Sequence, residues 1–202
     1  MCLHGDISPG ILTFLNIPVI AADGAVNFLQ EKVVIPDYVI GDLGSINAPC
    51  HARLGVIKVT EQETYDFEKA ITFIKQQDLM PCLVLGVGGG AIDHVFNNLN
   101  LIINYGCDFY SEPIFGRVIQ EIGCHEFISS TQEKVSIFGA PNAQVSSSGL
   151  VWELENVALR FPGVASLSNR TKHDKFQIDL RHGSILVFWS IPDFRGECPR
   201  VT

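Results

Sequence analysis

The sequence predicts an α/β protein in two parts: an N-terminal, mostly parallel sheet with flanking helices, then a C-terminal antiparallel β-sandwich. Two observations predict the first part. Short apolar runs alternate with helix-period segments over the first 105 or so residues, and glycines sit at the junctions between them. A third predicts the second part. From about residue 107 onward no amphipathic helix is legible, and short β-prone segments separated by turns take over. The boundary is drawn at 124/125, giving an α/β domain over 1–124 and a sandwich over 125–202.

Each element has its own signal. "PVIAAD" (18–23) reads as a strand and "GAVNFLQEKV" (24–33) as a helix entered through glycine. "PDYVIGD" (36–42) and "GVIKVT" (55–60) are again strands. "YDFEKAITFIKQQ" (65–77) places apolar residues at 67, 70, 71 and 74, the spacing of one helix face. "PCLVLGV" (81–87) is a buried strand and "DHVFNNLNLIINY" (93–105) a helix, so the run implies a parallel sheet. "CLHGD" resembles the last part of a first strand. The sandwich is expected from "EKVSIFG", "AQVSSSG", "LVWELENVALRF", "KFQIDLRHG" and "SILVFWSI".

Composition excludes several function classes. With 22 acidic residues against 14 basic ones and a net charge of -8, the chain has no basic excess to displace counterions from nucleic acid or an anionic membrane. No apolar run is long enough to span a bilayer, and "MCLHGDISPG" has neither the basic start nor the apolar block of a signal peptide. The six cysteines, at 2, 50, 82, 107, 124 and 198, form no CxxC pair. They read as reduced thiols of a cytoplasmic protein, not as a zinc site.

In open parallel sheets ligands collect where the strands end at their carboxyl side. Four polar signals follow strands here: "AADGA", "GDLGS", "TEQETYD" and "GVGGGAIDH". "GVGGG" supplies backbone N–H groups able to wrap phosphate oxygens, with no Walker or GxGxxG pattern. Asp23, Asp42, Asp66 and Asp93 supply hard oxygens suited to magnesium. The combination fits a nucleoside triphosphate with Mg2+. Taken singly, each signal has a plainer reading. The glycines suit a tight turn, Asp66 and Asp93 suit helix N-termini, His94 suits a solvated helix start, and Trp152 suits a sandwich core.

The order of motifs resembles the thiamine pyrophosphokinase family. The similarity lies in "ADGAVN" (22–27), "PDYVIGDLGS" (36–45), "EQETYDFEKA" (61–70), "GGGAIDH" (88–94), "SSGLVWEL" (147–154) and "SLSN" (166–169). The resemblance implies transfer of pyrophosphate from ATP to the hydroxyl of thiamine, giving thiamine diphosphate and AMP. It also implies Mg2+, ATP as co-substrate, and a homodimer with active sites in clefts between subunits.

Residue by residue, Asp42 and Asp66 match the family's metal-binding aspartates, Gln62 the polar residue beside them, and Asp23 and Asn27 the ATP-site turn. Asp93 and His94 end the glycine motif formed by Gly88, Gly89 and Gly90, and Asp93 joins Asp42 and Asp66 in the implied catalytic set. Trp152 matches an aromatic packing on thiamine, with Ser168 and Asn169 as polar contacts near it. The chain departs from the pattern at four places. Gly44 stands where the metal turn has a second aspartate, Ala91 where "GGRxDH" has its arginine, Tyr65 for a threonine and Glu61 for an aspartate. Two further functions stay open: a divergent pyrophosphokinase for another hydroxymethyl heterocycle, and a non-catalytic nucleotide- or thiamine-binding dimer.

Overall fold

A computed structural model describes residues 1–12, 17–47 and 51–191. Cys50, Cys198 and the end of the "GDLGSINAP" stretch lie outside the described residues. The chain divides into two compact units, Met1–Ser111 and Glu112–Thr202.

In the first unit, β1 (Ile20–Ala22), β2 (Tyr38–Gly41) and β3 (Gly55–Lys58) pair in parallel, as do β4 (Leu83–Leu85) and β5 (Asp108–Ser111). The short Met1–Leu3 segment joins the two sets. Cys2 bridges Ala21 and Leu85 in parallel, and Leu3 N donates to Leu85 O at 2.8 Å while Ala22 N donates to Cys2 O at 2.9 Å. The order is therefore β3-β2-β1, Met1–Leu3, β4-β5. The chain winds outward to β3 and then returns across the first segment to β4, so the winding direction switches between Leu3 and Leu85. That crevice is where open α/β sheets bind ligands.

Helices α1 (Pro9–Leu12), α2 (Ala25–Glu31), α3 (Asp66–Gln76) and α4 (Ile92–Tyr105) complete the unit. The predicted apolar stripe of α3 is its buried face, with Phe67, Ala70, Ile71 and Ile74 all at 3% exposure or less. Helix α4 stops at Gly106, whose φ of 68° is the left-handed conformation that glycine adopts at little cost.

Among its described residues the second unit has six strands: β6 (Ile114–Ile119), β7 (Gly123–Ile128), β8 (Lys134–Ser148), β9 (Val157–Arg160), β10 (Ala165–Arg170) and β11 (Lys175–Ser190). The long strands β8 and β11 each serve two layers. Their Val135–Gly139 and Ile185–Trp189 stretches pair with each other between β10 and β6. Their Ala143–Ser148 and Gln177–Gly183 stretches pair between β9 and β7. Phe127 of β7 meets the Trp189 indole edge-on at 5.3 Å, and Phe115 of β6 meets it at 5.0 Å, closing the sandwich core.

Two expectations differ in detail. The second unit begins before residue 125 because Ile114–Ile119 already pairs with β11. The "EKVSIFG" and "AQVSSSG" segments are one strand, as are "KFQIDLRHG" and "SILVFWSI". The turn signals at Pro141 and Gly183 mark bends, with ladder irregularities around Leu180–Ile185, not strand ends.

Candidate active site

The loops leaving the switch point nearly touch. A Cβ on Gly5 would lie 2.2 Å from the carbonyl oxygens of both Gly86 and Gly88, so only glycine lets these turns pass. Asp6 N donates to Gly88 O at 2.8 Å, and the Asp6 carboxylate packs against Gly89, which has a φ of 86°. A cavity of about 470 Å³ opens here, lined by His4, Asp23, Ser45, Asp66, Gly88 and Asp93 among others. Gly90, Ala91 and His94 complete its wall on the α4 side, where Asn98 donates to Val87 O at 3.1 Å and braces the glycine loop.

Asp42 and Gln62 lie outside that lining yet are tied to each other. Gln62 Nε2 donates to Asp42 Oδ2 at 3.0 Å, and Gly44 N donates to Oδ1 at 2.8 Å. These two hydrogen bonds hold the exposed Asp42 carboxyl below the usual range. Asp66 behaves oppositely. Burial first, then the negative charges of Asp23 and Asp42, push its carboxyl up, while Lys69 pulls it back. Asp66, at the start of α3, thus meets like charge from both Asp23 and Asp42.

Negative charge gathered around Asp66 is what Mg2+ would meet here. A divalent ion relieves it, and Mg2+ commonly takes one or two protein carboxylates with waters and phosphates filling its octahedron. Asp42 and Asp66 fit that role. Among the described residues no group of three or more His, Cys, Asp or Glu is arranged to hold a metal alone.

Asp23 and Asn27 brace the Asp42 turn. Asp23 Oδ1 accepts from Leu43 N at 2.8 Å, Asn27 Nδ2 donates to Ser45 O at 2.7 Å, and Asn47 N donates to Asn27 Oδ1 at 3.1 Å. Asp93 Oδ1 accepts from His94 N at 3.0 Å at the start of α4. Glu61 closes its own turn, accepting from Glu63 N at 2.9 Å.

In the second unit Trp152 is 61% exposed, which overturns its reading as sandwich core; that place belongs to Trp189, at 1%. Asn169 is buried and clamps the Trp152 backbone from both sides. Its Oδ1 accepts from Trp152 N at 3.1 Å, and its Nδ2 donates to Trp152 O at 2.6 Å. Ser168, at a φ of 55°, sits in the β10 irregularity that leaves Leu167 exposed, and its N donates to Ser136 Oγ at 3.0 Å.

The family model described as "Thiamin pyrophosphokinase, catalytic domain" matches residues 16–112, and "Thiamin pyrophosphokinase, vitamin B1 binding domain" matches residues 125–185. Thiamine pyrophosphokinase 1 of Arabidopsis thaliana is 30% identical over 195 residues, covering 79% of this chain and 73% of that protein.

The chain belongs to the thiamin pyrophosphokinase family.

Thiamin pyrophosphokinase 1 of Caenorhabditis elegans is 26% identical over 189 residues, covering 84% of this chain and 76% of that protein. The fold matches the Bacillus subtilis thiamine pyrophosphokinase with a TM-score of 0.76 at 16% identity, over 96% of this chain and 98% of that one. The yeast thiamin pyrophosphokinase gives 0.74 at 18%, over 94% and 84%.

Four residues at or beside this cavity were missed by sequence reasoning: His4 and Asn98 line it, Asp6 packs against Gly89, and Lys69 pairs with Asp66. Lys69 lies off the apolar stripe of α3 in helical register, so its burial, which calls for a partner, is not legible from the period. Nothing in the order of residues announced that Gly5 and Asp6 would meet the glycine loop some eighty positions on, because a strand pairing made that contact.

Proposed function

We propose that this protein transfers pyrophosphate from ATP to the hydroxyl of thiamine, giving thiamine diphosphate and AMP. One observation carries the reading: the glycine loop, Asp66 and Asp93 line a single cavity at the sheet's switch point, with the Asp42 turn beside it. The N–H groups of Gly88, Gly89 and Gly90 suit wrapping of the polyphosphate, and His94 and Asp93 bound it on the α4 side. Asp42 and Asp66 would hold Mg2+, which when bound neutralises charge on the transferring group. The thiamine hydroxyl oxygen forms the new bond to the β-phosphorus as that phosphorus loses its bond to the α–β bridging oxygen, which leaves with AMP, and the hydroxyl proton passes to solvent water. Gln62 and Gly44 N–H keep Asp42 ionised for this task.

In this reading the exposed Trp152 stacks on the cationic thiamine ring, with Ser168 and Asn169 shaping its loop. A homodimer in the cytoplasm completes the reading, ATP on the first unit of one subunit and thiamine beside the tryptophan of the other. No described helix is long and apolar enough to cross a membrane.

The test is incubation with ATP, Mg2+ and thiamine, followed by assay of AMP and thiamine diphosphate. Both products are expected. AMP formed only with another hydroxymethyl heterocycle would move the acceptor, and nucleotide binding without AMP would reduce the protein to a binding dimer.

A further inference from the structure

Asp23 has an unusual position for a residue facing a nucleotide. It is only 3% exposed although it borders the cavity, and both its carboxylate oxygens face backbone amides of the neighbouring turn. Oδ1 accepts from Leu43 N at 2.8 Å and Oδ2 from Ser45 N at 3.3 Å, one on each side of Gly44. Its own N donates to Ile40 O at 2.8 Å, and its φ of 39° is one that aspartate adopts more readily than most side chains. The turn it grips is itself constrained. Leu43 stands at a φ of 68°, a left-handed conformation that a non-glycine residue keeps only where its surroundings hold it. Gly41 completes the fit, because a Cβ there would lie 2.6 Å from the Asp23 Cβ.

We propose that Asp23 is a positioning residue: it holds the Leu43–Ser45 backbone so that Asp42 presents its carboxylate beside Asp66, and it does not touch the nucleotide. A carboxylate whose two oxygens already accept charge-assisted bonds from backbone N–H groups is a clamp. Pointed bare at a polyphosphate it would repel the substrate. Asn27 extends the grip through Ser45 O and Asn47 N, so the loop is held from β1 and α2 together. The inference rests on the proposed metal role of Asp42, and its test separates the two.

Asp23→Asn keeps an acceptor for Leu43 N and loses the one for Ser45 N, whereas Asp23→Ala loses both. Amide hydrogen exchange at Leu43 and Ser45, read without any substrate, is expected to accelerate in the alanine variant, with Val39 and Ile40 unchanged. The Mg2+ concentration giving half-maximal AMP release is expected to rise about tenfold in Asp23→Asn and towards about a hundredfold in Asp23→Ala, the range typical of residues that orient metal ligands. ATP affinity measured in EDTA is expected to stay at the parent value in both. A loss of EDTA affinity would make Asp23 a nucleotide contact and overturn the proposal. Unchanged exchange at Leu43 and Ser45, or an unchanged Mg2+ requirement in a fully folded alanine variant, would overturn it as well. A parent protein that releases no AMP would refute the proposed function instead. Mn2+ titration of parent and variants in the presence of ATP then gives the metal readout, and equal Mn2+ affinities would still overturn the clamp.

Discussion

The Lys69 ammonium lies 3.3 Å from Asp66 Oδ1, one turn along the same helix, with the lysine side chain 3% exposed and the aspartate 38% exposed. Burying a lysine is costly unless it is paired, so this contact is more than a surface ion pair. It sets a positive charge beside Asp66 and keeps that carboxyl from being pushed still higher by burial, Asp23 and Asp42.

Replacing Lys69 with Met is therefore expected to raise the Asp66 pKa further. The sign follows from the charges: removing the cation disfavours the ionised carboxylate, so more alkaline conditions are needed to ionise it. The acid limb of kcat/KM for ATP, which reports the free enzyme, should move to higher pH. Lys69→Arg should keep the limb near its parent position. A limb that stays put in Lys69→Met would remove the pair from the chemistry.

The Asp42 turn makes a second prediction. Asp42→Ala should abolish AMP release. Gly44→Asp should lower the Mg2+ requirement by about tenfold, the scale of one added metal-orienting group. A Cβ at position 44 would stand 3.0 Å from Asp42 Oδ1, which now folds back onto Gly44 N, so the new side chain must turn Asp42 outward. Titrating Mg2+ against AMP release in the three proteins checks this, and full turnover in Asp42→Ala would end the metal role.

Ala91 is exposed, lines the cavity and has an extended backbone at the start of α4, with room for a long side chain. Ala91→Arg is expected to lower the KM for ATP by about tenfold, the worth of a hydrogen bond to a charged group. The gain should shrink in high salt. An ATP KM unaffected by the arginine would place the polyphosphate elsewhere.

The two tryptophans should separate cleanly. Trp189→Ala is expected to destabilise the second unit by about 3–5 kcal/mol, since it removes the ring that Phe115 and Phe127 pack against. Trp152→Ala should leave the melting temperature nearly unchanged and raise the KM for thiamine. Asn169→Ala, which frees the Trp152 backbone, should reproduce part of that thiamine effect. A thiamine KM that ignores both changes would move the acceptor away from this face.

By itself the sequence determined the alternation of strand and helix, the buried face of α3 and the polar stretches at strand ends, because periodicity and turn chemistry are local properties. It also carried the family through "GDLGS", "EQETYDFEKA" and "GGGAIDH", whose order survives without any structure. Only the tertiary structure decided what those residues do to one another. The pairing of Cys2 with both Ala21 and Leu85 brought Gly5 and Asp6 to the glycine loop, and no local pattern encodes a partner so distant in the chain. The same holds for Asp23. In sequence it is one more acidic turn residue, and only the fold directs both its oxygens at backbone amides of the Asp42 turn. Trp152 and Trp189 look alike as aromatic positions in β-prone segments. Which one is covered depends on how β8 and β11 bend across two layers, a cooperative packing outcome that a single segment cannot specify.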